Sequence, residues 1–213
     1  MPMRGMLFDN DGTLVDTRDL ILSSLRYSTR TVLGRVIPDD ELLAKVGQPL
    51  AIQVADFTSD ERERAEVLRL YRKHNHAHHD AAVRAFPGAV ETLAALRESG
   101  VKLGVVTSKM HALAWRGLEI SGLAPFLDCC IGADDCDRYK PDGKPVACGA
   151  EALGLLPEEC LYVGDSPYDI QAGHAAGCKT VAVTWGVFSR ELLAAENPDF
   201  TCDTFPELAH LDR

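Results

Sequence analysis

The 213-residue chain has no run of eighteen apolar residues, which excludes a membrane-spanning helix. Its first residues, MPMRGMLFDNDG, lack the apolar core of an export signal, so secretion is not expected. Positive charge is in short supply: 22 Lys and Arg stand against 32 Asp and Glu, for a net charge of −10. Such a surface repels nucleic acid and anionic membranes. An anionic small substrate stays compatible only if its site carries positive charge of its own. Internal repeats and low-complexity linkers are also missing. The seven cysteines (129, 130, 136, 148, 160, 178 and 202) are odd in number and form no Cys-x-x-Cys pair. A disulfide framework is therefore disfavoured, zinc held by thiolates is a minor alternative, and reduced thiols in a cytoplasmic setting are expected.

What is present is ordinary for a globular chain: 46% hydrophobic and 25% charged residues, at a length that can bury a sizeable core. An apolar strand is expected at 3–8, ending in the turn signal Asp9-Asn10-Asp11-Gly12. Residues 16–83 read as all helix. The segments are 17–33 with Gly34 as its stop, a short helix after Pro38, a turn at 47–50, a resumption at 51–57, and a long helix capped by Ser59. From Phe86-Pro87-Gly88 onward the pattern alternates. Helices are expected at 89–98, 109–121, 144–154 and 168–176, and strands at 101–108, 128–133, 161–165 and 179–184. Alternating βαβα units with apolar strands imply a doubly wound α/β fold around a parallel sheet. The chain thus divides into a core at 1–15 plus 84–213 and a helical insert at 16–83.

Ligands of doubly wound sheets bind beyond the carboxyl ends of the strands. Here those ends read Asp9-Asn10-Asp11-Gly12-Thr13, Thr107-Ser108, Lys140-Pro141 after the third, and Gly164-Asp165-Ser166-Pro167-Tyr168-Asp169. Each alone has a plain local reading: a β-turn, or a helix N-cap with Pro at N1. Together they place four carboxylates, a hydroxyl and an ammonium on one rim. Crowded carboxylates repel one another, and a divalent cation such as Mg2+, which prefers oxygen ligands, offsets that repulsion. The cation and Lys140 also suit a phosphoryl group. Two carboxylates in different environments can divide the roles of nucleophile and proton donor.

These four motifs resemble those of haloacid dehalogenase (HAD) superfamily phosphatases, and the resemblance spans nearly the whole core. It implies that Asp9 is the nucleophile that becomes an aspartyl-phosphate and Asp11 the acid–base group. Asp9, Asp165 and the Asp11 carbonyl would hold Mg2+, with Asp169 in support. Thr107, Ser108 and Lys140 would bind the phosphoryl oxygens. Asn10 departs from the apolar residue usual between the two aspartates. The presence of Asp11 argues for phosphoryl rather than halide chemistry, because the dehalogenases proper lack it. The insert resembles the helical cap of subclass one, which closes over the site.

Four of the seven histidines fall in His74-Asn75-His76-Ala77-His78-His79-Asp80. His74 and His78 share a helix face, yet the Glu of a His-Glu-x-x-His site and a third ligand are missing. By position the heptapeptide is expected at the end of the last insert helix, away from the catalytic rim. The surrounding Tyr71–Asp80 stretch resembles the insert of PpaX-type bacterial inorganic pyrophosphatases. That implies Asn75, His76 or His79 meets a distal phosphate. Separately, the 47–50 loop resembles the specificity loop of subclass-one caps, which would make Gln48 a substrate donor, and it reads equally as a plain interhelical turn. The expected activity is Mg2+-dependent hydrolysis of pyrophosphate or a small phosphomonoester, with phosphoglycolate phosphatase and phosphosugar mutase as alternatives. The expected partner is a small phosphorylated molecule, with no nucleic acid or membrane, and self-association into a homodimer is left open.

Overall fold

A computed structural model describes residues 4–211. Its main sheet has six parallel strands: β1 (Gly5–Phe8), β4 (Lys102–Val106), β5 (Cys129–Ile131), β6 (Cys160–Gly164), β7 (Lys179–Val183) and β8 (Phe200–Cys202). They lie in the order β5-β4-β1-β6-β7-β8. Successive side chains of a strand point to opposite faces. Met6, Phe8, Leu161 and Val163 accordingly join an apolar cluster with α5 (Ala89–Glu98) and α6 (His111–Ile120). Leu7, Cys160 and Tyr162 join a second cluster with α7 (Lys144–Ala152) and α8 (Pro167–Ala176). Both faces are covered, so the strands read as unbroken apolar runs. Each fully buried Leu, Val or Phe adds roughly 1.5–3 kcal/mol.

The helical insert has its own apolar cluster. It contains α1 (Arg18–Leu33), α2 (Asp39–Leu43), α3 (Leu50–Ala55) and α4 (Glu61–Ala82), and buries Leu22, Leu25, Leu42, Val54 and Val67 among themselves. Gly34 ends α1 in the left-handed region, at φ 65°, with its N–H on the Arg30 carbonyl. The cap of α4 is Asp60 rather than Ser59: its carboxylate accepts from the Arg62 and Glu63 N–H groups at 2.8 and 3.0 Å. Those are the unpaired donors of a first helical turn, and such a cap contributes about 1 kcal/mol.

Four short elements lie outside the expected pattern. β2 (Val15–Asp16) pairs antiparallel with β3 (Arg84–Ala85), so that a two-stranded ribbon brackets the insert. β8 extends the sheet, and α9 (Arg190–Ala194) precedes it. Elements of two to five residues carry too little periodicity to show in a sequence. No helix among the described residues is long and apolar enough to cross a membrane. All seven cysteines are free.

The register builds the rim. Phe8 lies opposite Val105 on one side and Val163 on the other. Asp9, Thr107 and Asp165 follow within two residues of those partners and so emerge together beyond the sheet. β4 stops at Val106, earlier than expected, which leaves Thr107 and Ser108 in the loop before α6.

Candidate active site

The floor of the site is a buried ionic cluster. Asp9, Lys140, Asp165 and Asp169 are each at most 3% exposed. The Lys140 ammonium lies 2.6 Å from Asp169 Oδ1 and 2.9 Å from Asp9 Oδ1. Asp169 also accepts from the Tyr162 hydroxyl at 3.2 Å and from the Ser166 N–H and hydroxyl at 3.0 and 2.6 Å. The Ser166–Asp169 exchange is at the same time the capping box that starts α8. Asp165 accepts from the Thr13 hydroxyl at 3.0 Å and the Val187 N–H at 2.8 Å. Gly12, at φ 85°, lets the Asp9–Thr13 turn lie against Asp165, where any side-chain carbon would collide with the carboxylate.

Charge in this floor is unbalanced. Carboxylate oxygens of Asp9, Asp165 and Asp169 lie within 4.8 Å of one another, with one ammonium among them. Burial pushes Asp9 up to about 7, against the pull of Lys140. Burial and the repulsion of Asp169 and Asp9 push Asp165 up to about 8. Lys140, despite its burial, is held well above its ordinary range by Asp169 and Asp9. Asp9 Oδ1 is buried, and the Lys140 ammonium beside it is shared with Asp169. An all-oxygen donor set short of positive charge fits a hard divalent cation.

Above the floor opens a cavity of about 720 Å³ between core and insert. Thr107 lies at its base, 6% exposed, and its hydroxyl oxygen accepts from the Lys109 N–H at 3.2 Å. The Ser108 hydroxyl donates to the Gly47 carbonyl at 2.6 Å, tying the core to the 47–50 loop. Gly47, at φ 100°, lets that loop settle against Ser166. Gln48 lines the cavity while its carbonyl accepts from the Gln53 amide at 2.7 Å. Asp11 stands at the cavity wall, where its Oδ1 accepts from Lys109 Nζ and from the Thr17 hydroxyl, both at 2.7 Å. Burial pushes Asp11 up, but the Lys109 ammonium and these hydrogen bonds outweigh it and hold the carboxyl below its usual range.

The histidine-rich stretch ends α4, as its position in the sequence implies, and one of its faces borders the cavity. Arg72, Asn75, His76, His79 and Asp80 line the cavity. Spacings of three and four residues put them on one face of α4, and that face looks across at the core. His74 and His78 are on another face: their rings are 4.3 Å apart, with His74 stacked on Tyr27 and bonded to Ser24 at 3.0 Å. They do not join a metal-binding group of three. Among the described residues the one such group of His, Cys, Asp or Glu is the aspartate cluster. Asp80 also pairs with Arg116 of α6, which joins insert to core.

Several supporting residues went unread in the sequence. The sequence pattern places Lys109 at a helix start, Tyr162 in a strand and Thr17 at another helix start, and marks none of them as a site residue. Their contacts depend on neighbours 98, 7 and 6 residues away. Asn10 is buried, as is Asn75.

Residues 6–183 match the family model described as haloacid dehalogenase-like hydrolase. The chain belongs to the haloacid dehalogenase-like hydrolases. Within the HAD-like hydrolases it is 38% identical to pyrophosphatase PpaX of Anoxybacillus flavithermus, over 98% of this chain and 96% of that one. It is 36% identical to pyrophosphatase PpaX of Halalkalibacterium halodurans, over 98% and 96% respectively. Among solved structures it is similar to a predicted phosphoglycolate phosphatase from Haemophilus somnus, with a TM-score of 0.89, 25% identity, and 99% and 98% of the two chains covered. This chain therefore shares its family and its overall fold with known hydrolases.

Proposed function

We propose that the protein is a Mg2+-dependent pyrophosphatase that works through a phosphoryl group carried on Asp9. The observation that carries this reading is the buried floor. Asp9 is aimed at the cavity, Lys140 lies beside it, and the paired carboxylates of Asp165 and Asp169 leave a deficit of positive charge. Asp9, Asp165 and the Asp11 carbonyl would hold the metal. When bound, Mg2+ supplies the charge that keeps the crowded carboxylates ionised and offsets that of the phosphoryl oxygens.

The remaining steps belong to the chain. Thr107 and Lys140 bind and orient the transferring phosphoryl group. Asp9 forms a bond to phosphorus as the bond to the leaving oxygen breaks. Water then attacks the same phosphorus, gives its proton to Asp11, and breaks the bond to Asp9. Residues 16–83 act as a cap over the core formed by 1–15 and 84–213, and exclude bulk water from the cavity. Asp169 holds Lys140 in place and supports the metal site at one remove.

Pyrophosphate is favoured over an alcohol ester by the state of Asp11. The carboxyl is held ionised by Lys109, the form suited to accepting the proton of water. A phosphate leaving group is a far weaker base than an alkoxide and so needs less protonation on departure. The names of the two PpaX relatives support the same substrate. The cap residues Gln48, Asn75, His76 and His79 would surround the leaving phosphate.

The test compares orthophosphate release from pyrophosphate and 2-phosphoglycolate with Mg2+ present. A higher kcat/KM for pyrophosphate is expected, and a higher value for phosphoglycolate would reassign the substrate. Asp9→Asn should lower turnover of either by at least about 10⁴-fold, as expected for loss of a nucleophile.

A further inference from the structure

Resting on the pyrophosphatase reading, we infer that Lys109 is the specificity-determining residue for the leaving phosphate, which it reaches by exchanging its contact with Asp11 for one with substrate. Lys109 lines the cavity beside Asp11, with its Nζ 2.7 Å from Asp11 Oδ1. On the mechanism proposed above, Asp11 is the proton-transfer group and faces the reacting oxygens. The ammonium and those oxygens therefore share one carboxylate. They lie within roughly 5–6 Å, the sum of two hydrogen-bond lengths, and the distal phosphorus is one bond further on. A change of rotamer along the four-carbon lysine stem covers this gap.

Two other cations near the cavity are committed to carboxylates, and a third, Arg72, lines it from the exposed face of α4. Lys140 lies in the floor between Asp9 and Asp169 and serves the transferring group. Arg116 is held by Asp80, 36 residues earlier in the chain. The Lys109 side chain, by contrast, is 12% exposed and lines the cavity. Among the described residues its ammonium donates to Asp11 alone, so two of its three N–H donors remain for a ligand. Releasing Lys109 does not set Asp11 adrift, because the Thr17 hydroxyl keeps its own 2.7 Å hydrogen bond to the same oxygen. The arrangement holds a cation ready on a carboxylate partner until a better anion arrives. It also answers the demand set by the acidic surface, that an anion-binding site bring its own positive charge.

The exchange predicts a split between one-phosphate and two-phosphate ligands. Calorimetric titration of the Mg2+-loaded protein with imidodiphosphate, an uncleaved analogue of pyrophosphate, reports both subsites. Orthophosphate at one equivalent reports the tighter subsite, on this reading the one beside the metal. In Lys109→Met and Lys109→Gln the Kd for imidodiphosphate should rise about 30-fold, the loss of one charge-assisted contact. The Kd for orthophosphate should move less than about twofold, which also shows that the variant is folded. Lys109→Arg should retain most of the imidodiphosphate affinity, because it keeps the charge. An unchanged imidodiphosphate Kd, or an equal rise for both ligands, would overturn the inference and leave Lys109 as a support for Asp11. If wild-type protein fails to cleave pyrophosphate yet shows the split, the substrate reading falls and the subsite stands.

Discussion

The floor and the roof of the cavity are built on opposite principles. In the floor, Asp9, Lys140, Asp165 and Asp169 are buried, and they meet from two strand ends, one loop and the first turn of α8. Each member limits the others, because an ion left unpaired at such depth costs several kcal/mol. In the roof, Gln48, Arg72 and His76 present polar groups to the cavity from a loop and a helix, and no described hydrogen bond joins their side chains to the floor. A single change there disturbs one contact. The comparison separates chemistry, which needs groups held rigidly, from substrate choice, which can vary on a tolerant surface.

The largest effect should come from breaking the floor. Lys140→Met removes the one ammonium between Asp9 and Asp169. It should cost about 3–5 kcal/mol of stability, as for other buried pairs that lose one partner. Thermal denaturation checks this, and a melting temperature equal to wild type would show the floor to be less tightly coupled than its contacts imply.

A gentler perturbation of the same region uses pH. Asp9 and Asp165 keep their protons to about 7 and 8 in the folded protein, against an ordinary value of 3.8. Between those limits the unfolded chain has released protons that the folded chain still holds. Stability of the metal-free protein should therefore fall as pH rises from about 4 to about 8, and then level off as far as these groups are concerned. Mg2+ binds the ionised carboxylates, so its stabilisation should grow across pH 6–8. Melting curves with Mg2+ and with chelator measure this, and a metal increment independent of pH would contradict the charge deficit assigned to the floor.

The smallest effect should come from the rim. Arg116→Ala removes the exposed bridge to Asp80 that joins α6 to α4. Exposed ion pairs contribute little and are screened by salt, so KM for pyrophosphate should change about twofold at low ionic strength and less at high. A tenfold change that persists in salt would move Arg116 from the rim into the substrate site.

The ordered carboxylates at the strand ends were legible because each motif carries its own local signature. Asp-Asn-Asp-Gly marks a turn, Gly-Asp-Ser-Pro a capped helix, and the apolar runs before them a buried strand. The placement of the histidine-rich stretch was less legible. Its periodicity gives the faces of α4, and nothing in one helix says which face meets the core. Lys109 was missed for a related reason: its identity becomes informative only beside Asp11, which lies 98 residues earlier.

The sequence alone determined the alternation of strand and helix, the interruption by a helical insert, and the chemical kinds of residue at each strand end. These follow from periodicity and turn chemistry, which act over a few residues. Tertiary structure decided which of those residues meet. It ended β4 before Thr107, turned the Arg72, Asn75, His76 and His79 face of α4 toward the core, and set Lys109 on Asp11. Such choices depend on packing two apolar clusters, one under the sheet and one within the insert, against a shared cavity, and that free energy belongs to no single segment.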